Sequence, residues 1–151
     1  MEREIYKGDE ERYPWLTILL LDTYEISDSL TDNHIKRIGP VACQKGCSNC
    51  CKNLMVPITE PELVGISWYT SEKLKDPVRS RVKDRILNHE NTTECPFLVD
   101  DVCSIHAVRP LICRQFYIRG EPCATGEDVL VTRPQDIVLP NRACSIIQFL
   151  P

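Results

Sequence analysis

The residues best equipped for chemistry are sulfurs. Four of them crowd into Cys43-Gln-Lys-Gly-Cys47-Ser-Asn-Cys50-Cys51. A thiolate is the metal-ligating form of cysteine, and metal binding lowers the thiol pKa enough to keep it deprotonated. Gly46 permits a tight turn between Cys43 and Cys47, so that several sulfurs can aim at one point. The spacing Cys-x3-Cys-x2-Cys is close to that of loops that wrap iron–sulfur clusters. A zinc ribbon needs paired Cys-x2-Cys knuckles, and this loop offers one such pair, Cys47 and Cys50. The reading therefore leans to iron–sulfur, with zinc as the alternative. Adjacent side chains such as Cys50 and Cys51 diverge on most backbones. One of them can ligate a centre while the other serves a second centre or stays a buried apolar thiol.

A second run, from Cys95 through Cys103 to Cys113, supplies three more sulfurs, with His106, Arg109 and Arg114 beside them. Cys103-x2-His106 could form a mixed knuckle; otherwise His106 is a hydrogen-bonded, partly buried histidine. Arg109 and Arg114 could offset the negative charge of thiolate-bound metal and donate hydrogen bonds to sulfur. Equally, they could form structural ion pairs with Asp100, Asp101 or another acid. Cys123 and Cys144 sit in loop-like contexts and could complete a four-cysteine site. The candidate ligands are thus Cys43, Cys47, Cys50, Cys51, Cys95, Cys103, Cys113 and Cys123, around one or two [4Fe–4S] clusters. The role of Cys144 and the partition of sulfurs between centres stay open.

Composition frames this chemistry. Nine cysteines in 151 residues are far above ordinary usage. The start of the chain has no apolar run of signal-peptide type, and Leu16 to Leu21 is too short to cross a bilayer. We therefore expect a soluble, cytoplasmic protein, in which clustered cysteines mean metal and not disulfides. Adjacent Cys50 and Cys51, with Cys47 close by, would also strain any disulfide among them. A net charge of −4 with scattered basic residues excludes a nucleic-acid footprint. No direct membrane insertion is expected.

The sulfurs must be positioned by the elements between them. Helical spacing of Trp15, Ile18, Leu19, Asp22 and Ile26 predicts a first helix over about 13–30. A second short piece over 31–38 is stopped by Gly39-Pro40. After the cysteine loop, 54–58 reads as strand-like. Thr59 with Glu62 is a capping-box signature, with Pro61 in the first turn, for a helix to about Lys73. Asp76-Pro77 then opens a helix carrying Val78, Val82 and Ile86 towards Asn91. Phe97 to Ile105 reads as a tight hairpin turning at Asp100-Asp101, which brings Cys95 and Cys103 together at its open end. Pro110 starts a helical turn that carries Cys113. Val129 to Thr132 and Ile137 to Leu139 look β-like, and Ile146 to Leu150 is a last apolar run, packed on the domain's own core or lying in a partner's groove. The expected fold is a small irregular α+β domain, mostly α, organised by metal, with short hairpins. It spans 1–151 as one domain: an N-terminal helical segment 1–40, a core 43–116 and a C-terminal extension 117–151.

Together the two cysteine runs resemble the CxxCxxCC cysteine-cluster family, also called YkgJ-like and described as zinc- or iron-chelating. The residues that carry the resemblance are Cys43, Cys47, Cys50, Cys51, Cys95-Pro96-Phe97-Leu98, Cys103-Ser104-Ile105, Arg109-Pro110 and Cys113-Arg114. The gap between Cys43 and Cys47 holds three residues where the family has two, and His106 stands where tyrosine is common. The resemblance implies metal binding and no settled reaction. Flagellin lysine methylases look similar in their cysteine cluster, which adds a methyltransfer accessory as one alternative; a zinc-binding structural module or metal chaperone is another. The leading expectation is a non-catalytic iron–sulfur subunit or regulator, redox- or oxygen-responsive, that docks on a larger protein complex, or an electron relay. The six glycines form no GxGxxG loop, and no Ser/His/Asp arrangement stands out, so catalysis is not the first expectation.

Overall fold

The structure is a computed structural model, and it describes residues 8–16, 20–44, 46–53 and 56–139. The chain forms a small α+β domain that is mostly helical. Short helices α1 (Asp9–Arg12) and α2 (Pro14–Leu16) precede the long α3 (Asp22–Ile38). No glycine or proline interrupts 22–38, so α3 runs straight through the break expected between 30 and 31. It stops at Gly39, whose φ of 93° is open to glycine alone at little cost. Asp22 and Glu25 lie in its first turn and Lys36 and Arg37 in its last, which suits the helix dipole.

The cysteine loop follows, with a 3-10 turn at Asn49–Lys52. The strand-like piece expected at 54–58 lies partly outside the described residues, and 56–58 form no strand. Helix α4 (Glu60–Glu72) opens on the expected capping box: the Glu62 carboxylate accepts from the Thr59 backbone N–H at 2.8 Å and its hydroxyl at 2.6 Å. Helix α5 (Val78–Leu87) is capped from Asp76, whose Oδ1 accepts from the Ser80 N–H at 3.2 Å.

The second half is made of short pieces. Strands β1 (Leu98–Val99) and β2 (Val102–Cys103) pair antiparallel across Asp100 and Asp101. Those two aspartates have φ of 52° and 59°, the left-handed pair that a two-residue hairpin requires. Helix α6 (Leu111–Gln115) carries Cys113. Strand β3 (Tyr117–Ile118) pairs with β4 (Ile137–Val138). Between them, Val129–Thr132 forms a helical turn, α7, and not the expected strand. Asp128 caps it, accepting from the Leu130 N–H at 3.0 Å, and this local bond overrides the β preference of the valines.

One core joins the N-terminal segment to the second half of the chain. Leu16, Leu20, Leu21 and Tyr24 from the N-terminal segment meet Ile66, Trp68, Val82, Phe97, Val99, Ile105 and Val108. Gly65 lets α4 press against Leu20, since a Cβ there would strike the leucine side chain. Among the described residues no helix is long and apolar enough to cross a membrane.

Candidate metal centre

The first cysteine loop divides between two parts of the fold. At its beginning, Ala42 donates to the Ile118 carbonyl at 2.7 Å, which ties Cys43 to the β3 strand. Asn49 donates to the Cys123 carbonyl at 2.6 Å, so the loop also meets the turn that carries Cys123. At its end, the Cys51 carbonyl accepts from the Cys95 N–H at 2.7 Å, which ties Cys50-Cys51 to the hairpin. The 3-10 turn at Asn49–Lys52 lets neighbours in one short loop face different strands.

Two sulfur neighbourhoods result. In one, Cys50, Cys95, Cys103 and Cys113 lie within range of one another's charge. Cys103 arrives opposite Leu98 in the hairpin register, and the Leu98 N–H returns to the Cys95 carbonyl at 3.1 Å, so the hairpin closes on its two cysteines. In the other, Cys43, Cys47 and Cys123 lie within range of one another. Cys50 is also felt at Cys43, so it stands between the two sets. Cys51 hydrogen-bonds the Cys50 side chain. Cys144 lies outside the described residues, as does the apolar run 146–150.

All eight described cysteines are free thiols; Cys47 is exposed and the others are half-buried. Burial pushes the Cys113 thiol up to about 12, with the neighbouring sulfurs adding to the effect. Burial likewise raises Cys43, Cys95, Cys103 and Cys123. The hydrogen bond with Cys51, then burial, raises Cys50. Thiols this crowded keep their protons because several thiolates would repel one another in a poorly solvated space. A metal cation reverses that balance: it takes the place of the protons and makes the anionic sulfurs mutually tolerable. The donor set therefore fits a thiophilic metal or iron–sulfur group in kind. Among the described residues, no three His, Cys, Asp or Glu side chains are gathered tightly enough to hold an ion as they stand. Closing either neighbourhood on a metal requires the sulfurs to draw inward.

Cationic groups flank the Cys113 set. Arg109 lowers the pKa of both Cys103 and Cys113, against the larger effect of burial. Its Nε is buried with no hydrogen-bond partner. Arg85 acts in the same way on Cys95 and donates through Nη2 to Glu94 at 2.7 Å, while its own Nε is also buried and unpartnered. Unmet guanidinium donors beside half-buried sulfurs are placed to face anionic sulfur. Arg114 takes the other course. Its guanidinium is bound to Asp28 of α3 at 2.9 Å, an acid other than Asp100 or Asp101. Asp100 instead pairs with Arg81 and Asp101 with Lys52. His106 opens a 3-10 turn over His106–Val108 and is exposed.

Sequence reasoning did not single out Asp28, Arg85 or Asn49, and saw Glu62 as a helix cap alone. Asp28, Asn49 and Glu62 act through contacts far along the chain, and Arg85 reaches across the α5–hairpin connection to Glu94 and Cys95, so no local pattern signals them.

The sequence model of the CxxCxxCC family, described as a "putative zinc- or iron-chelating domain", matches residues 42–145. The match covers more than half of the chain and reaches beyond Cys113 to include Cys123 and Cys144. No curated protein and no solved structure matches the chain.

Proposed function

This chain belongs to the CxxCxxCC family of zinc- or iron-chelating domains, and from that premise we propose that it is an iron–sulfur protein. The observation that carries the proposal is that Cys50, Cys95, Cys103 and Cys113, which come from a loop, both flanks of a hairpin and a helix, lie within range of one another's charge. Four sulfurs from separated stretches, with Arg109 and Arg85 beside them, suit one [4Fe–4S] centre. Cys43, Cys47 and Cys123 are the ligands of a second, with Cys50 at the junction of the two and Cys51 hydrogen-bonded to it. Bound there, such a cluster supplies reversible one-electron chemistry and sensitivity to oxygen. The chain's own residues would surround it, restrict water and donate hydrogen bonds from Arg109.

The role that follows is non-catalytic: a redox- or oxygen-responsive subunit, or an electron relay, working on a larger protein complex in the cytoplasm. Ile26 and Leu30, one turn apart on α3, are 61% and 52% exposed, and apolar groups in such a row gain by burial against a partner. The family description leaves zinc as the competing metal. Zinc would serve as a structural tie and no electron would move.

The test is to purify the protein without oxygen and to measure iron, acid-labile sulfide and zinc on one sample. Iron and sulfide in equal amounts, with brown colour, are expected. A colourless protein with stoichiometric zinc would reject the iron–sulfur reading in favour of the zinc module.

A further inference from the structure

We infer that α3, which ends before the family match begins, is a strut of the metal centre: Asp28, acting through Arg114, holds Cys113 in place. The inference rests on Cys113 being a metal ligand, as proposed above.

Helix α6 has five residues, too few to hold its own shape in water, so its orientation comes from what grips it. Arg114 is the grip. It is 3% exposed, and each of its three nitrogens has a partner. Nη1 reaches both Asp28 oxygens at 2.9 and 3.2 Å, Nε donates to the Arg109 carbonyl at 2.9 Å, and Nη2 donates to the Ala107 carbonyl at 2.5 Å. The guanidinium also stacks 4.0 Å from the centre of the Tyr24 ring. One side chain therefore gathers the backbone of 107–109 and fastens it to α3. Two further bonds join the same surfaces: Gln115 donates to Ser27 Oγ at 3.0 Å, and the Tyr24 hydroxyl donates to the Val108 carbonyl at 3.4 Å. From the other side, the buried Glu62 carboxylate of α4 accepts from the Leu111 N–H at 2.6 Å.

Adjacent residues on a helix point about 100° apart. With Arg114 committed to α3, the side chain of Cys113 is turned to another quarter, where Cys95, Cys103 and Cys50 lie. Losing the Asp28 carboxylate leaves the guanidinium buried without its counter-charge, and α6 must shift to rehydrate it. The sulfur moves with the helix. Asp28, Tyr24, Ser27 and Glu62 are thus positioning residues, and none of them needs to touch metal.

The test compares wild type with Asp28→Asn, Asp28→Glu, Ser27→Ala and a core control, Val82→Ala, in the intact chain. Each is loaded with metal, and the rate of metal loss to an excess of chelator is followed at a temperature where every variant is folded. Altered neighbours of metal ligands typically weaken a site by 10–100-fold, so Asp28→Asn should lose metal roughly tenfold faster than wild type. Asp28→Glu should recover most of the retention, and Val82→Ala, which loosens the core beneath the hairpin, sets the loss that general destabilisation alone produces and should stay below that of Asp28→Asn. Loss from Asp28→Asn that is no faster than from Val82→Ala would overturn the inference and leave the metal reading standing. If Asp28→Asn does not fold, Ser27→Ala decides: a rate at or below that of Val82→Ala overturns it. A wild-type chain that takes up no metal would sink the functional reading itself, which separates the two failures.

Discussion

The two sulfur neighbourhoods share a loop but stand on different foundations. Around Cys113, three of the four ligand candidates are tied to the core: Cys95 and Cys103 flank buried Phe97, Leu98 and Val99, and α6, which carries Cys113, is pinned from α3 and α4. Around Cys43, the sulfurs lie on turns. Cys47 is exposed, Gly46 turns the chain with φ 86°, and Cys123 depends on a loop held by polar contacts. That loop is fixed by Glu127, which binds Arg133 at 2.9 Å, Thr132 at 2.7 Å and the Ala124 N–H at 2.9 Å. One set of sulfurs is therefore carried by apolar burial and the other by a surface network. The difference implies that the first holds metal tightly and contributes to the fold, while the second gains and loses metal with less effect on the rest.

Breaking the first foundation should have the largest effect. Arg114→Ala removes one partner of a buried ion pair and its cation–π contact, and should destabilise the metal-free protein by about 3 kcal/mol in urea unfolding. A change below about 1 kcal/mol would mean that α6 is not held by this residue.

Ligand substitutions should then separate the sets. Cys113→Ser should lower both the metal content and the thermal stability of the loaded protein. Cys47→Ser should lower the metal content alone and leave the unfolding free energy of the metal-free chain within about 0.5 kcal/mol of wild type. Equal thermal losses in both variants would erase the contrast.

Thiol chemistry gives a finer reading. In the metal-free protein at neutral pH, alkylation should be fastest at exposed Cys47 and slowest at Cys50 and Cys113: the hydrogen bond with Cys51 and burial hold the proton of the first, and burial holds that of the second up to about 12. Peptide mapping of partly alkylated protein measures this order, and Cys113 labelled ahead of Cys47 would contradict it.

The smallest effect concerns acid. Hydrogen bonds from Arg133 and Thr132 hold the Glu127 carboxyl down to about 2, against an ordinary value of 4.5. Because this folded pKa is depressed, the contribution of Glu127 is complete above the ordinary value and fades as pH falls from there through about 2. Carbon NMR of the glutamate carboxyls should find one titrating near 2; a Glu127 resonance titrating near 4.5 would mean that the Cys123 loop is not held this way.

Much of the fold could be read from local patterns. The Thr59/Glu62 box, the Gly39-Pro40 stop and the Asp100-Asp101 turn each act over a few residues, and each stands where the sequence puts it. The errors have the same logic. The division expected between 30 and 31 fails because nothing there breaks a helix. The β-branched composition of Val129–Thr132 points to a strand, whereas Asp128 and Glu127 supply the bonds of a helical turn. The pairing of Tyr117–Ile118 with Ile137–Val138 joins distant stretches and has no local signature. The site divides likewise. That Cys95 and Cys103 approach one another follows from the hairpin. That Cys43 and Cys47 turn to Cys123 while Cys50 turns to Cys113 depends on single hydrogen bonds from Asn49 and Cys95 across the fold. The Asp28–Arg114 pair spans 86 positions of sequence, and no spacing rule reaches that far.

The claim beneath all of this is that the cysteine sulfurs ligate metal. X-ray absorption at the edge of the bound metal in anaerobically purified protein tests it most directly. The account predicts a first shell of sulfur at about 2.3 Å, the usual metal–thiolate distance, weakened in Cys113→Ser. A first shell of oxygen or nitrogen alone, unchanged in that variant, would contradict it.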